Sequence, residues 1–511
     1  MPTQWNTFPI EFNGGLLSSL SPLQQGINAP GSATILQNFE PSLEGGYKKV
    51  LGYTKFSDIE VTGTGEIEGV CVLPYQSASV VIAVRNKKYY LGTGGSWTLK
   101  GTAADTTTSK IRHTSYNFNG TNKIVFVDGI NFPAYYDTTA ATLTFLTSST
   151  LNDAVEGAKH VANHKNVLFF GVGSELVYTA PLTDTDFDPA NGAASINVGS
   201  DITGLIGFRD QLIIFSKERI LSLTGSTSAD YVVKPITTNI GCLYEDTIQE
   251  VGGDVAFLAS DGVRTLSATD RIGDFGLDVA SKPIKKQIND LKSNATNFSS
   301  LVIREKAQYR LFQYNANVEN DSAIGVVATK FIDQGGAGFN WGTLKGFKVK
   351  ISDSKFVGED ELIVFANDDG YVYTLESGSS RDTANIQAIF QSPFIPIQDP
   401  QIRKTFYKLV LYLEPTGNFG FDTRIILDQS EPNIIQPNFI TVDAQGTQAF
   451  VYGAINATYG TAIYGQEFEK EYVNNVVGSG KTVAIRVDDE STTSSFTLDT
   501  AVIEFATNER R

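Results

Sequence analysis

The sequence predicts an all-β chain: a β-propeller-like repeat domain, a C-terminal antiparallel β-sandwich or barrel, and an extended N-terminal arm. Three observations predict it. Short apolar runs return at near-constant intervals. Polar turns containing Gly, Asn and Asp separate them. The composition is rich in Gly (47), Phe (32) and Tyr (21), which suits many short strands joined by tight turns.

The runs read VIAV from Val81, IVFV from Ile124, VLFF from Val167, LIIF from Leu212 and VAFL from Val255, with weaker copies YRLF from Tyr309 and LIVF from Leu362. Successive starts are 43, 43, 45, 43, 54 and 53 residues apart. Each run is followed by a turn and a second strand. Asp261-Gly262 and Asp369-Gly370 suit hairpin turns, because Gly accepts positive φ without a steric clash. A hairpin cannot bury its own two faces, so such units must stack. A spacing near 43 fits propeller blades, whose repeat is roughly 40–45 residues, and five to seven blades are expected.

The 54-residue step holds the clearest helix. In VASKPIKKQINDLKSN, Ile284, Ile288 and Leu291 share one face, and Pro283 suits an early helical position. Lys282, Lys285, Lys286 and Lys292 read as its solvated side.

Residues 1–60 are rich in Gly, Pro and Ser and read as an arm that packs on the C-terminal domain or on a neighbouring subunit. Residues 61–390 hold the repeat. Pro393, Pro396 and Pro400 mark a boundary, and 391–511 form the second β domain. There KTFYKLVLYLEP and DTRIILD suggest a hairpin around Thr416-Gly417. Val483, Ile485 and Val487 point to one face, Ala484 and Arg486 to the other.

Net charge is −16, which argues against tight nucleic-acid binding, since phosphate contacts need Lys and Arg. Two Cys, Cys71 and Cys242, exclude a disulfide framework and read as buried thiols. No apolar run is long enough for a membrane span. No secretory signal is visible, so synthesis in a cytoplasm without processing is expected, and the sequons at Asn119, Asn294, Asn297 and Asn456 carry no weight.

Several motifs fall short of chemistry. GSGKT, Gly478 to Thr482, lacks the leading Gly of a phosphate loop, where Asn475 stands, and precedes a strand rather than a helix. His160 and His164 lack the adjacent Glu of a zinc peptidase, Val161 being in its place, and His113 is remote in sequence. Asp184, Asp186 and Asp188 mimic a calcium loop, but Pro189 replaces its turn-forming Gly; a weak surface contact is the most they suggest. Asp261, Asp368 and Asp369 sit in turns. No serine-nucleophile elbow occurs. No catalytic, cofactor-binding or metal-binding residue is assigned, and no cofactor is expected.

Three stretches carry a resemblance. The arm with Gly14-Gly15, the segment NFEPSLEGGYKKVLGY from Asn38, and SDITGLIGFRDQLIIFSKERILSLTGS from Ser200 resemble the nozzle proteins of short-tailed bacteriophages, also called tail tubular protein B or tail stabilisation proteins. The resemblance implies a non-enzymatic virion protein of the phage tail, made in the host cytoplasm. It implies a homohexamer that extends the portal–adaptor channel, retains the packaged genome and conducts DNA during ejection. Its implied partners are the adaptor (head-to-tail connector) protein, tail fibres or spikes, genomic DNA passing without sequence-specific contacts, and the host outer surface at the tip. Six such chains carry −96, and a negative lumen would let DNA slide. The alternatives are a propeller that degrades surface polysaccharide, needing two carboxylates about 5–9 Å apart, and a glycan-binding propeller with exposed aromatics, for which Trp5, Trp97 and Trp341 are available.

Overall fold

A computed structural model of the chain describes residues 5–74, 78–105, 110–271, 279–333, 336–444 and 470–507. The chain is mostly β, arranged in many small sheets. Asn456 lies outside the described residues. Among the described residues no helix is long and apolar enough to cross a membrane.

Each apolar run forms the second strand of a sheet unit, not the first. The first unit joins Ile67–Val72, Val81–Arg85, Lys88–Gly92 and Trp97–Thr102; the second joins Arg112–Phe118, Thr121–Val127, Ala134–Asp137 and Thr142–Phe145. The third begins at His160–His164, the fourth at Ile202–Phe208 and the three-stranded fifth at Gln249–Val251. The sixth runs from Asn297–Ile303 through Gln308–Tyr314 to the long pair Ile324–Asp333 and Gly336–Lys345. The seventh comprises Ile351–Val357, Asp360–Ala366 and Val372–Leu375, and the arm strand Tyr53–Lys55 completes it.

The pleat explains how these units pack, since alternate residues of a strand face opposite sides. Ile124 and Phe126 join a core with Ile82 and Val84 of the first unit. Val125 and Val127 face Leu168 and Phe170 of the third. The same alternation carries Val167 and Phe169 to Leu212 and Ile214, and Ile213 and Phe215 to Val255 and Phe257. Ala256 and Leu258 then meet Tyr309 and Leu311, and Phe312 meets Ile363 and Phe365. Finally Val364 and Ala366 pack on Val81 and Ala83. The seventh unit thus packs on the first, and the series closes on itself. An unbroken apolar run is required because each second strand is covered on both faces.

The two long steps have separate causes. Between Val255 and Tyr309 lie the helices Leu266–Arg271 and Lys285–Asn294, the latter preceded by a tight turn Lys282–Ile284. Ile284, Ile288 and Leu291 are buried in the largest core. Lys282, Lys285 and Lys286 are exposed, but Lys292 departs from the sequence reading: its ammonium donates to the carbonyls of Ala259 and Ser260 at 3.0 and 2.9 Å. Between Tyr309 and Leu362 the extra length is the ten-residue strand pair of the sixth unit.

The sixth unit does not end at its fourth strand. Gly336–Lys345 pairs in parallel with arm strand Ile35–Gln37, which pairs with Ile386–Gln391, and the sheet continues through Val483–Ser491 and Phe419–Leu427 to Ile440–Ala444. A further sheet has Lys404–Pro415 at its centre, between Phe496–Thr507 and Lys470–Gly480; arm strands Asn6–Glu11 and Tyr47–Lys49 also pair with Phe496–Thr507. Inner faces of the two sheets share one core, with Leu409 and Leu411 from one and Ile425, Leu427, Ile485 and Val487 from the other.

The expected hairpin around Thr416-Gly417 is therefore corrected. Its two strands lie in different sheets, and the turn carries the chain between them, anchored by Thr416 N–H donating to the Ser495 carbonyl at 3.1 Å. Both strands alternate apolar residues, so each pairs within its own sheet and presents a face to the other. Ala484 is also buried, in a small separate cluster with Phe394 and Ile426, while Arg486 remains half-exposed as expected.

Candidate functional site

The first strand of every unit contributes to one cavity of about 240 Å³. Val70, Arg112, His160, Leu205, Gln249, Ser300 and Asp353 line it, one from each of the seven units in turn. Because these strands wall a polar space, they mix charge with apolar residues and do not read as strands in sequence. That is why the second strands, buried on both faces, and the third strands that follow them stand out in the sequence while the first strands do not.

The wall is a charge network. Arg112 Nη2 lies 2.9 Å from Glu245 Oε2, and its Nε lies 2.8 Å from Asp246 Oδ1. Lys110 Nζ stands 3.2 Å from Asp246 Oδ2, and Lys159 Nζ 2.5 Å from Glu245 Oε1. Burial opposes the charge of Asp246, yet Arg112 and Lys110 outweigh it and hold the carboxyl well below the usual range. In the same cavity His113 Nε2 lies 3.2 Å from Asp353 Oδ2, which also accepts the Val72 N–H at 2.8 Å. Burial works against the Asp353 charge as well, but His113, Lys355 and the Val72 N–H bring its pKa down to about 2. Glu245, Asp246 and Asp353 thus each have a cationic or imidazole partner, and for Asp246 and Asp353 these partners favour the anion.

His160 and His164 both lie on the strand His160–His164, which precedes the VLFF strand. Four residues of strand span about 13 Å, so the pair cannot share a metal. Both are buried and each leaves its Nε2 without a hydrogen-bond partner. Burial, then the nearby Arg112, pushes His160 well below the ordinary imidazole range, so it lines the cavity as a neutral ring.

The remaining motifs resolve into local structure. Lys481 and Thr482 form a turn between two strands, their N–H groups donating to Asp428 Oδ1 at 2.7 and 2.8 Å. Asp184 accepts from Tyr116 and Lys123, Asp186 from Asn191 and the Asp188 N–H, and Asp188 caps the Ala190 N–H. Asp186 and Asp188 hold their own loop, and Asp184 ties that loop to strands of the second unit. Asp261 pairs with Arg264, Asp368 with Lys348, and Asp369 accepts from Tyr371 N–H and Tyr373 Oη. Cys71 and Cys242 are both free and buried. Trp341 is a core residue at 1% exposure, whereas Trp5 is exposed and lies against Tyr407.

The sequence missed Lys110, Arg112, Glu245, Asp246 and the meeting of Cys71, His113 and Asp353. Cys71, His113 and Asp353 stand ten, eleven and nine residues before the apolar runs starting at 81, 124 and 362. The ladder sets Cys71 opposite Ile82, His113 opposite Phe126 and Asp353 opposite Val364, so they are not one repeated position, and they become neighbours only when the series closes.

No protein-family model and no curated protein matches this chain. Among solved structures, it is similar to two determinations of the extracellular domain of BT4673 from B. thetaiotaomicron. The one described as a one-component system has 12% identity and a TM-score of 0.40, over 70% of this chain and 43% of the other. The one described as a hybrid two-component system has 11% identity and a TM-score of 0.40, over 70% and 42%. The match spans less than half the length of those neighbours.

Proposed function

We propose that this chain is a seven-bladed β-propeller joined to a β-sandwich, and that it serves as a structural subunit of a phage tail nozzle rather than as an enzyme. One observation carries this reading: arm residues among those that bear the resemblance bind the closed series of sheets to the C-terminal sheets. Asn38 Nδ2 donates to the carbonyls of Lys345 and Gln387 at 3.0 and 2.9 Å. Glu40 meets Arg310 at 2.7 Å and Lys306 at 2.6 Å. Tyr47 Oη accepts the Gly15 N–H and donates to the Asn13 carbonyl. Lys49 pairs with Asp489 of the C-terminal sheet. An arm segment placed at such a junction fits a protein that must stay rigid under load.

On this reading six copies form a ring below the portal and adaptor, and the acidic balance of −16 per chain lets DNA pass without adhering. The paired state of the cavity carboxylates supports a non-catalytic role. The decisive test is native mass spectrometry with negative-stain imaging of the purified chain, alone and with its adaptor ring. A sixfold ring is expected. A chain that stays monomeric in both conditions overturns the reading.

A further inference from the structure

We propose that Cys71, His113 and Asp353 form a transition-metal site, suited to Zn²⁺, on the wall of the central cavity. The site stands apart from the nozzle reading and does not need it. The three residues come from the first strands of the first, second and seventh units, which are neighbours around the closed series. The Cys71 sulfur, a ring nitrogen of His113 and a carboxylate oxygen of Asp353 all lie within 4.8 Å of one another.

The donor set selects the metal class. A thiolate, an imidazole and a carboxylate suit Zn²⁺ or Co²⁺, whereas Ca²⁺ and Mg²⁺ take all-oxygen shells. Tetrahedral zinc places its donors about 3.3–3.8 Å apart, given metal–ligand bonds of about 2.0–2.3 Å. The His113–Asp353 separation of 3.2 Å is close to that spacing, and the thiol, within 4.8 Å of both, has to approach by at most about 1–1.5 Å. Charge balances too: one thiolate and one carboxylate neutralise a divalent ion, so Lys355 nearby faces no net positive centre.

The surroundings resemble a built coordination shell. Val72 N–H donates to Asp353 Oδ2 at 2.8 Å and fixes the carboxylate, which is the orienting role outer groups play around metals. Cys71 is 1% exposed and is not part of the cavity lining. His113 and Asp353 line the cavity, so the fourth position opens toward it, as in zinc sites that hold water or a small ligand. As the metal–sulfur bond forms, the Cys71 thiol gives up its proton to solvent.

The test uses the full chain, stripped with a chelator and dialysed against buffered Zn²⁺ or Co²⁺. About one equivalent of zinc per chain is expected to be retained, and the cobalt form should show a thiolate-to-metal charge-transfer band. Cys242→Ser should keep both signals. Cys71→Ser and His113→Gln should lower bound metal at least about tenfold, with circular dichroism confirming that each variant is folded. Absence of retained zinc, or zinc whose amount Cys71→Ser leaves unchanged, overturns the proposal. Should a variant fail to fold, the unmutated chain decides: cobalt bound without the thiolate band excludes Cys71 as a ligand.

Discussion

Nζ of Lys49 lies 2.7 Å from Oδ2 of Asp489, and neither side chain is more than 1% exposed. The pair ties the arm to the C-terminal strand Val483–Ser491, with the Ser491 carbonyl accepting from the same ammonium at 3.3 Å. Removing one member strands the other charge out of water, which costs about 3–5 kcal/mol, while removing both costs far less. Lys49→Met should therefore lower the urea midpoint strongly, and adding Asp489→Asn should restore much of the loss. If the double variant is no more stable than the single one, the pair is not the source of the effect.

Glu68 sits on the first strand of the first unit, 8% exposed, and burial pushes its pKa up to about 7. The folded chain then holds a proton that the unfolded chain releases near pH 4.5. Stability from the neutral carboxyl is complete below that value and is lost as pH rises through 7. Glu68→Gln should flatten unfolding free energy between pH 5 and 8, by no more than about 2 kcal/mol once solvent screening is allowed for. Equal pH slopes in parent and variant would refute this.

His160 acts in the opposite direction. Its folded pKa is depressed, first by burial and then by Arg112, so its contribution is present above the unfolded imidazole value near 6.5 and fades as pH falls below it. His160→Gln should recover about 1–2 kcal/mol of the stability lost between pH 6.5 and pH 5, read from denaturant titrations at each pH.

Gly14 and Gly15 both have positive φ, at +82° and +65°, but their surroundings differ. A Cβ on Gly15 would lie 2.7 Å from the Trp341 nitrogen and 2.9 Å from its carbonyl oxygen, whereas one on Gly14 would be 3.7 Å from the Ser32 Cβ. Gly14→Ala should cost only the left-handed backbone term, about 1–2 kcal/mol. Gly15→Ala adds a backbone clash and should cost at least about 1–3 kcal/mol more. Comparable melting temperatures for the two variants would contradict this.

What the sequence made legible follows from burial. Runs such as Val167–Phe170 are covered on both faces, so every residue is apolar and the strand stands out. The strand Arg112–Phe118 touches a polar cavity on its inner edge, and RHTSYNF carries no period that marks it. YRLF reads as a weak copy because Arg310, fully buried, is apolar in neither character nor role: it meets Glu40 of the arm and Glu376, each at 2.7 Å. Pairing across hundreds of residues left no local trace, so the split of Lys404–Pro415 and Phe419–Leu427 between two sheets, and the meeting of Cys71 with Asp353, emerge only from the fold.

The strand Tyr53–Lys55 is made before any of the seven units, yet its ladder partner is Val372–Leu375. Thr54 faces Thr374, about 320 residues later along the chain, so that edge waits unpaired while the intervening units are synthesised. Sealing the circle is consequently a long-range, late event, and refolding should be governed by that single meeting of distant segments rather than by how fast any one hairpin forms.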